Sequence, residues 1–330
     1  MRFGLRIPSY AWPEIGPEDA EEFRDYCRRA EGAPFEDLWV IEHLLLAPAV
    51  YGVSWLDPFV TLALAAGVTD RVGLGTSALV MPLRHPVLLA KEIASLQALS
   101  RGRFILGVAT GWDEKEFAVM DVPLKERGKR TDEGLEIVFR LLTEEDVTFE
   151  GGFFRFEGVA IHPRVDPPPL WVAGGSLGHA PETPDKPYIA PAVLRRILRA
   201  DGWMCRSSGS DLDMVRKDWG EVQRFLEENG RDPRTLTFGH TQFVHVVETD
   251  STEEALEEQM PHFLRVMGTH RTAEDLRASY LLGTIEEIQG RIAALAEIGL
   301  EYLIVTPVSN EPAQVELISK HIVEPFGDGR

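Results

Sequence analysis

The sequence has little cysteine, a deficit of positive charge and no long apolar run. Its 330 residues include two cysteines, Cys27 and Cys205, too few and too far apart for a disulfide framework or a zinc knuckle. Two isolated thiols are typical of a reducing compartment, so we expect a soluble, cytoplasmic protein. Every apolar run is interrupted well before the roughly 18 residues that a membrane span requires. We therefore expect no membrane partner.

The charge balance excludes another class of partner. Asp and Glu outnumber Lys and Arg by 53 to 34, which gives a formal net charge of -19. Such a surface repels nucleic acid and anionic lipid, and a phosphate would need a local binding site. We expect a small-molecule substrate and no nucleic acid partner.

Several signatures of metal and hydrolytic chemistry are missing. There is no HExxH or CxxC pattern, and His240 and His245 lie five apart on a predicted strand, which points them to opposite faces. We predict no metal site. There is no Gly-x-Ser-x-Gly elbow, and no Gly-x-Gly-x-x-Gly turn follows the first strand, as a dinucleotide-binding sheet would need.

What the sequence does have is a regular alternation of strands and helices. Pro58 and Pro86 open helices, and Thr284 with Glu287 forms a capping box at a third. A second capping box, Ser251 with Glu254, opens another. Eight alternating strands predict a single α/β domain over residues 1–330, a (β/α)8 TIM barrel. The predicted strands cover 1–8, 37–43, 71–80, 103–109, 168–175, 201–205, 235–247 and 301–307.

Two stretches interrupt this alternation. Residues 147–157 alternate around Gly151 and Gly152, which predicts a β-hairpin inserted after the fourth helix. Residues 176–191, after the fifth strand, contain four prolines and predict an irregular loop above the barrel mouth. Insertions at that end of a barrel usually shape a site.

The C-terminal ends of barrel strands carry the chemistry, so the residues there are the candidates. His43, beside Glu42, is the one histidine of nine at such an end, and its position favours a functional role over a packing or surface role. After the fifth strand, Gly174-Gly175-Ser176 offers backbone amides to a phosphate, with a simple tight turn as the alternative. A hydrolase that uses Glu42 with Asp113 or Glu114 stays open, although acids also favour a helix start.

Five segments carry a family resemblance. Together they resemble the bacterial luciferase-like family, and most nearly its branch of coenzyme F420-dependent oxidoreductases. The segments are LWVIEH, VGLGTSALVMPLRHPVLLAKEIASLQALSRGRFILGVATGWDEKEF, ERGKRTDEGLEIVFRLLT, VTFEGGFFRFEGV and PPLWVAGGS.

The resemblance implies a flavin or deazaflavin ring at the barrel mouth and hydride transfer as the chemistry. It implies a non-prolyl cis peptide at Ser77-Ala78 that backs the ring. Catalysis falls to His43, and the implied cofactor contacts are Glu42, Ser77, Ala78, Thr110, Gly111, Gly174, Gly175 and Ser176.

The resemblance also bears on substrate and assembly. Trp112 stands where the family's sugar-phosphate dehydrogenases have a catalytic glutamate, and Arg206-Ser207-Ser208 stands where they have lysines. This implies an apolar or aromatic substrate packed against Trp112. The implied cofactor is coenzyme F420, with FMN and a monooxygenase reaction, or a non-catalytic flavin-binding relative, as the alternatives. A homodimer is also implied.

Overall fold

The computed structural model describes residues 1–11, 17–46, 51–176, 189–206 and 211–327. Eight parallel strands form a closed barrel in this part of the chain, and each strand pairs with its neighbours in chain order. Strands β1 and β8 pair at Leu5 and Val305, and β4 and β5 pair at Leu106 and Leu170. The predicted (β/α)8 barrel is therefore confirmed. The strands are β1 Arg2–Arg6, β2 Asp37–Val40, β3 Gly73–Thr76, β4 Phe104–Ala109, β5 Leu170–Ala173, β6 Gly202–Cys205, β7 Thr237–Val244 and β8 Tyr302–Pro307.

Helices surround the barrel, and several begin where the sequence predicts. Asp57 caps the helix that starts at Pro58, and its carboxylate accepts from the amides of Phe59 and Val60. The helices are α1 Pro17–Gly32, α2 Pro58–Ala66, α3 Pro86–Leu99, α4 Glu114–Val119, α5 Arg127–Thr143, α6 Pro191–Ile197, α7 Leu212–Glu228, α8 Thr252–Met267, α9 Ala273–Ser279, α10 Ile285–Ile298, α11 Ala313–Ile318 and α12 Glu324–Phe326.

Large aromatic side chains fill the barrel interior. The rings of Trp39 and Trp171 lie 5.4 Å apart, and Trp171 lies 5.2 Å from Tyr302. Glycines lie opposite these rings because there is no room for a larger side chain. A Cβ on Gly75, for example, would lie 2.3 Å from Cε3 of Trp39. The interior is thus a packed core, and any site has to lie at its ends.

A second apolar cluster covers the C-terminal mouth of the barrel. It joins α8 and α9 to a short antiparallel pair of strands, Tyr10–Ala11 with Ser54–Trp55. Its aromatic members are Tyr10, Tyr51, Trp55, Phe243, Phe263 and Tyr280. Residues 257–283 therefore form part of the wall of the barrel mouth.

The predicted insertions and strand limits can be compared with the structure. The hairpin is confirmed, as Val147–Glu150 paired with Arg155–Val159. Most of the proline-rich loop falls on residues 177–188, outside the described residues. The predicted strand 71–80 is divided, because β3 ends at Thr76 and a separate piece, Leu79–Val80, pairs with β4. No described helix has the length and apolarity that a membrane crossing needs.

Candidate active site

His43 lies just beyond the end of β2, with its side chain buried in the mouth of the barrel. Its ring is 5.1 Å from the ring of Tyr51, and the ring of Trp112 meets it edge-on at 5.7 Å. Trp112 follows β4 and is 51% exposed, so it forms the solvent side of this group. The structure therefore brings together two of the residues that the sequence singled out, from two different strands.

Glu116 holds His43 in place, and the sequence did not point to it. Its Oε1 lies 3.3 Å from Nδ1 of His43 and accepts the backbone amides of Leu44 and Leu45 at 2.8 and 3.2 Å. The side chain is 1% exposed. This contact suits the imidazole tautomer with its hydrogen on Nδ1, because a carboxylate oxygen only accepts, and that tautomer leaves Nε2 to exchange a proton with a ligand.

The position of Glu116 explains why it was missed. Asp113 caps α4 by accepting from the amide of Lys115, and Glu116 is the third helical residue, where a glutamate ordinarily bonds back to the cap. The acids after Trp112 therefore resemble an ordinary helix start. The one sequence signal was that Glu116 precedes Phe117 on the inward face of the helix.

Glu42 is engaged within the chain. Arg84 donates to Oε1 from Nη2 at 2.7 Å and from Nε at 3.1 Å, and the amide of Val80 donates to Oε2. Burial raises the pKa of the Glu42 carboxyl, and the Arg84 charge opposes that rise. Contact between Glu42 and a cofactor ring stays a prediction. With Glu42 bound to Arg84 and Asp113 capping a helix, nothing in the geometry favours the two-carboxylate hydrolase.

The Ser77-Ala78 peptide is cis, as the resemblance implied. Arg6 contacts it from β1, donating from Nη2 to the Ser77 carbonyl and hydroxyl, each at 2.8 Å. Thr110 is half-buried at the end of β4. Its neighbour Gly111 has φ 76°, and a Cβ there would lie 2.5 Å from Cγ1 of Val80. The chain's own packing thus requires this glycine, whether or not a cofactor lies beside it.

The Gly174-Gly175-Ser176 turn has fewer free amides than the sequence suggested. The amide of Gly174 donates to the Met204 carbonyl at 3.1 Å, and the amide of Ser176 donates to Oδ2 of Asp218 at 2.9 Å. Asp218, on α7, is 1% exposed. A Cβ on Gly175 would lie 2.5 Å from the same Asp218 oxygen. A carboxylate of the chain therefore already occupies part of the predicted phosphate cradle.

Other groups at this turn suit an anion. The buried hydroxyl of Ser176 lies beside the Asp218 carboxylate, and Arg206 donates to the Ser176 carbonyl at 3.0 Å. Burial raises the pKa of the Asp218 carboxyl, and its hydrogen bonds from Ser176 oppose that rise. The hydroxyl and the guanidinium fit a phosphate, and Asp218 weakens that fit. Ser207 and Ser208 lie outside the described residues.

No metal site is formed by the described residues: nowhere do three or more His, Cys, Asp or Glu side chains gather as ligands. His245 lies beyond the end of β7 and stacks on His262, with 4.1 Å between ring centroids.

Comparison with known proteins identifies the family to which this barrel belongs. The sequence model described as luciferase-like monooxygenase matches residues 1–183. The chain belongs to the luciferase-like monooxygenase family. The match ends shortly after the turn at Ser176, so the family residues include β1 to β5, His43 and Trp112.

Two curated relatives illustrate the range within the family. An uncharacterised protein of Mycobacterium tuberculosis is 35% identical over 180 residues, 54% of this chain and 57% of that protein. An F420-dependent glucose-6-phosphate dehydrogenase of Kineococcus radiotolerans is 33% identical over 213 residues, 63% of this chain and 58% of the enzyme. The chain thus spans little more than half the length of the curated relatives that it matches.

Solved structures with the same fold cover nearly the whole chain. The monooxygenase RslO1 from Streptomyces bottropensis has a TM-score of 0.79 at 24% identity, with 99% of this chain and 100% of that chain covered. An F420-dependent secondary alcohol dehydrogenase has a TM-score of 0.75 at 17% identity, with 97% and 98% covered. At these identities the likeness shows the luciferase-like barrel alone.

Proposed function

We propose that this protein is an oxidoreductase that transfers a hydride between coenzyme F420 and an apolar or aromatic organic substrate. Membership of the luciferase-like family supports an oxidoreductase, and relatives named as F420-dependent dehydrogenases support the cofactor. The chemistry that the deazaflavin supplies when bound is the hydride transfer.

The observation that carries this proposal is the geometry of His43. Glu116 fixes its Nδ1 hydrogen, and the rings of Tyr51 and Trp112 fix its plane, so Nε2 has one defined orientation. A proton must move when a hydride is added to or removed from a carbonyl, alcohol or alkene. His43 is the group in the mouth that holds that proton, as a general acid or base.

The substrate class follows from the surroundings of His43. Tyr51 and the half-exposed Trp112 give the mouth aromatic walls, which favour a flat or apolar molecule. The indole of Trp112 lies at the position where the family resemblance places the catalytic glutamate of sugar-phosphate dehydrogenases, which disfavours a sugar phosphate as the substrate.

The experiment is a parallel fluorescence titration of the purified chain with F420 and FMN, followed by turnover with a panel of aromatic and apolar substrates. We expect F420 to bind with micromolar affinity or better. The His43→Gln variant should keep that affinity and lose about 100-fold or more in turnover, because it lacks the proton carrier. His270→Gln, at an exposed histidine, is the control. Failure to bind either cofactor would contradict the proposal.

An FMN-dependent monooxygenase is the second candidate, since the family is described as luciferase-like monooxygenase. The same titration separates the two, because a monooxygenase should bind FMN in preference to F420 and consume oxygen with substrate. Cofactor binding without turnover against any substrate would instead indicate a non-catalytic relative.

We further propose a homodimer. Apolar side chains on the outer helices α2 and α3 support it, since Val60 is 71%, Leu88 59% and Leu99 78% exposed. Sedimentation velocity at micromolar concentration should give twice the chain mass of 36.9 kDa, and a monomer would contradict the proposal.

A further inference from the structure

Arg6 is a buried cation without an acidic partner. It is the last residue of β1 and is 4% exposed. Within the described residues no carboxylate lies within ion-pair distance of it, although the chain has 53 acidic residues.

The groups that face Arg6 are the hydroxyls of Tyr10 and Tyr51 and the ring of Phe243, whose centroid lies 5.7 Å from Cζ of Arg6. Burial lowers the pKa of Arg6 to about 10, so it remains charged at neutral pH. A buried charge is costly unless an opposite charge compensates it, so an anionic ligand in the mouth would be stabilised by Arg6.

The hydrogen bonds of Arg6 occupy only one edge of its guanidinium. Nε and Nη2 donate to Ser77, at 3.1 Å to the hydroxyl and at 2.8 Å to the carbonyl oxygen. Nη1 makes no hydrogen bond within the described residues. Ser77 therefore anchors the side chain, and the remaining N–H groups are available to a ligand.

Thr306 offers a second unused polar group next to Arg6. Leu5 pairs with Val305, so Arg6 and Thr306 are the next neighbours along β1 and β8. They lie on the inward face, in step with Gly4 and the interior residue Ile304. Thr306 is 1% exposed, and its hydroxyl has no partner in the described part of the chain. A buried unpaired hydroxyl beside a guanidinium that has no acidic partner suits a ligand oxygen that can accept from both.

We propose that Arg6 and Thr306 form an anion subsite at the floor of the barrel mouth. Its ligand is a negatively charged oxygen, from either the carboxylate of an aromatic or apolar acid or the anionic form of a reduced flavin or deazaflavin ring. The guanidinium fork suits a carboxylate, which accepts two parallel N–H bonds. Tyr51 lies between this subsite and His43, with its ring 5.1 Å from the imidazole. The subsite is on β1 and β8, away from the turn after β5, so the cofactor phosphate is not its ligand. The choice between the two sources rests on the proposed function.

The first arm of the test asks whether the purified chain, without cofactor, prefers an anion. Benzoate and the neutral isostere benzamide are the probes, and calorimetry measures their affinities. We expect benzoate to bind at least about tenfold more tightly than benzamide to the wild type, and this preference to vanish in Arg6→Met. Arg6→Lys keeps the charge without the fork and should keep part of the preference. Arg2→Met is the matched control, since Arg2 lies on the same strand at the other end of the barrel, paired with Glu36 at 3.6 Å.

The second arm identifies the other source. If the anion belongs to the reduced ring, bound FMN should abolish the preference of the wild type for benzoate, and Arg6→Met should lower the midpoint potential of bound FMN relative to wild type and Arg2→Met. Equal probe affinities together with an unchanged potential would overturn the subsite. If neither cofactor binds, the proposed function fails. The comparison of benzoate affinity with benzamide affinity still decides whether Arg6 binds an anion. Should Arg6→Met not fold, Arg6→Gln removes the same charge with a polar side chain and is measured in both arms.

Discussion

Glu116 shows how one side chain sets the chemistry of its neighbour. Its Oε1 lies beside Nδ1 of His43 and accepts the backbone amides of Leu44 and Leu45. Glu116 therefore fixes both the imidazole and the loop that follows His43. Glu116→Gln keeps the size but can present an N–H to Nδ1, which permits the other tautomer. We expect turnover to fall about tenfold with little change in cofactor affinity.

The readout for Glu116→Gln is the His43 tautomer, measured by nitrogen-15 chemical shifts, alongside steady-state rates. Glu114→Gln is the control, since Glu114 lies in the first turn of the same helix and its carboxylate makes no contact with His43. An unchanged tautomer with an unchanged rate would show that Glu116 has only a structural role.

Asp218 is the residue that most changes the interpretation of the phosphate turn. Its carboxylate accepts a hydrogen bond from the Ser176 amide, and its negative charge opposes a phosphate at the same place. Asp218→Asn removes the charge and keeps an acceptor for the amide. We expect the ratio of FMN affinity to riboflavin affinity to rise about fivefold, with riboflavin affinity itself unchanged.

Calorimetric titration at neutral pH measures that ratio. Asp213→Asn on the same helix is the matched control, because the Asp213 side chain is 92% exposed. A ratio that does not move, or that falls, would mean that the phosphate lies elsewhere in the mouth.

At the scale of elements, helix caps were predictable in kind but not in strength. The Thr284–Glu287 capping box is complete, with the hydroxyl accepting from the Glu287 amide and the carboxylate accepting from the Thr284 amide. At α8 only half of the predicted box forms: Ser251 accepts from the Glu254 amide, but the Glu254 carboxylate accepts from Thr249 at 2.7 Å instead. The sequence pattern is the same, and a competing hydroxyl two residues upstream makes the difference.

We therefore expect unequal costs when each carboxylate is removed. Glu287→Ala should lower the free energy of unfolding by about 1 kcal/mol, because its carboxylate accepts the Thr284 amide at the start of α10. Glu254→Ala should cost less, since its carboxylate accepts the Thr249 hydroxyl and not the amide of the cap residue. Urea unfolding at neutral pH measures both, and equal costs, or a larger cost at Glu254, would contradict this ranking.

Strand limits were less predictable than strand order. The apolar pattern of residues 71–80 is continuous, so the sequence predicts one strand, but the chain bends at Ser77 and resumes as Leu79–Val80 against β4. Arg6 and Glu42, from β1 and the end of β2, hold the two sides of that bend. Contacts from other strands decided where this strand stopped.

At the scale of the whole molecule, the N-terminal end of the barrel contains a partly buried acid that makes stability depend on pH. Tyr302 donates to Asp37, and Trp39 donates to the Tyr302 hydroxyl at 3.1 Å. Burial raises the pKa of Asp37 from 3.8 to about 6, and the Tyr302 hydrogen bond opposes that rise. The folded protein therefore holds the proton more tightly than the unfolded chain does, and stability falls as pH rises from about 4 to about 6.

Asp37→Asn imitates the protonated acid and should remove this dependence. We expect the variant to gain stability relative to wild type as pH rises through that window, by about 3 kcal/mol at most. Urea unfolding of both proteins at pH 4, 5, 6 and 7 provides the measurement. A difference between them that stays constant with pH would refute this role for Asp37.

The sequence by itself determined the barrel, its hairpin and its family. Apolar periodicity and capping residues act over a few neighbouring positions, so a linear pattern is enough to predict them. It also singled out His43 and Trp112, because strand ends in a barrel converge. Only the tertiary structure decided which groups remain available there, since Glu116 reaches His43 across 73 residues, Asp218 reaches Ser176 across 42, and Arg6 reaches Ser77 across 71. No local pattern predicts which amide another strand or helix will occupy, or which charge will be left without a partner.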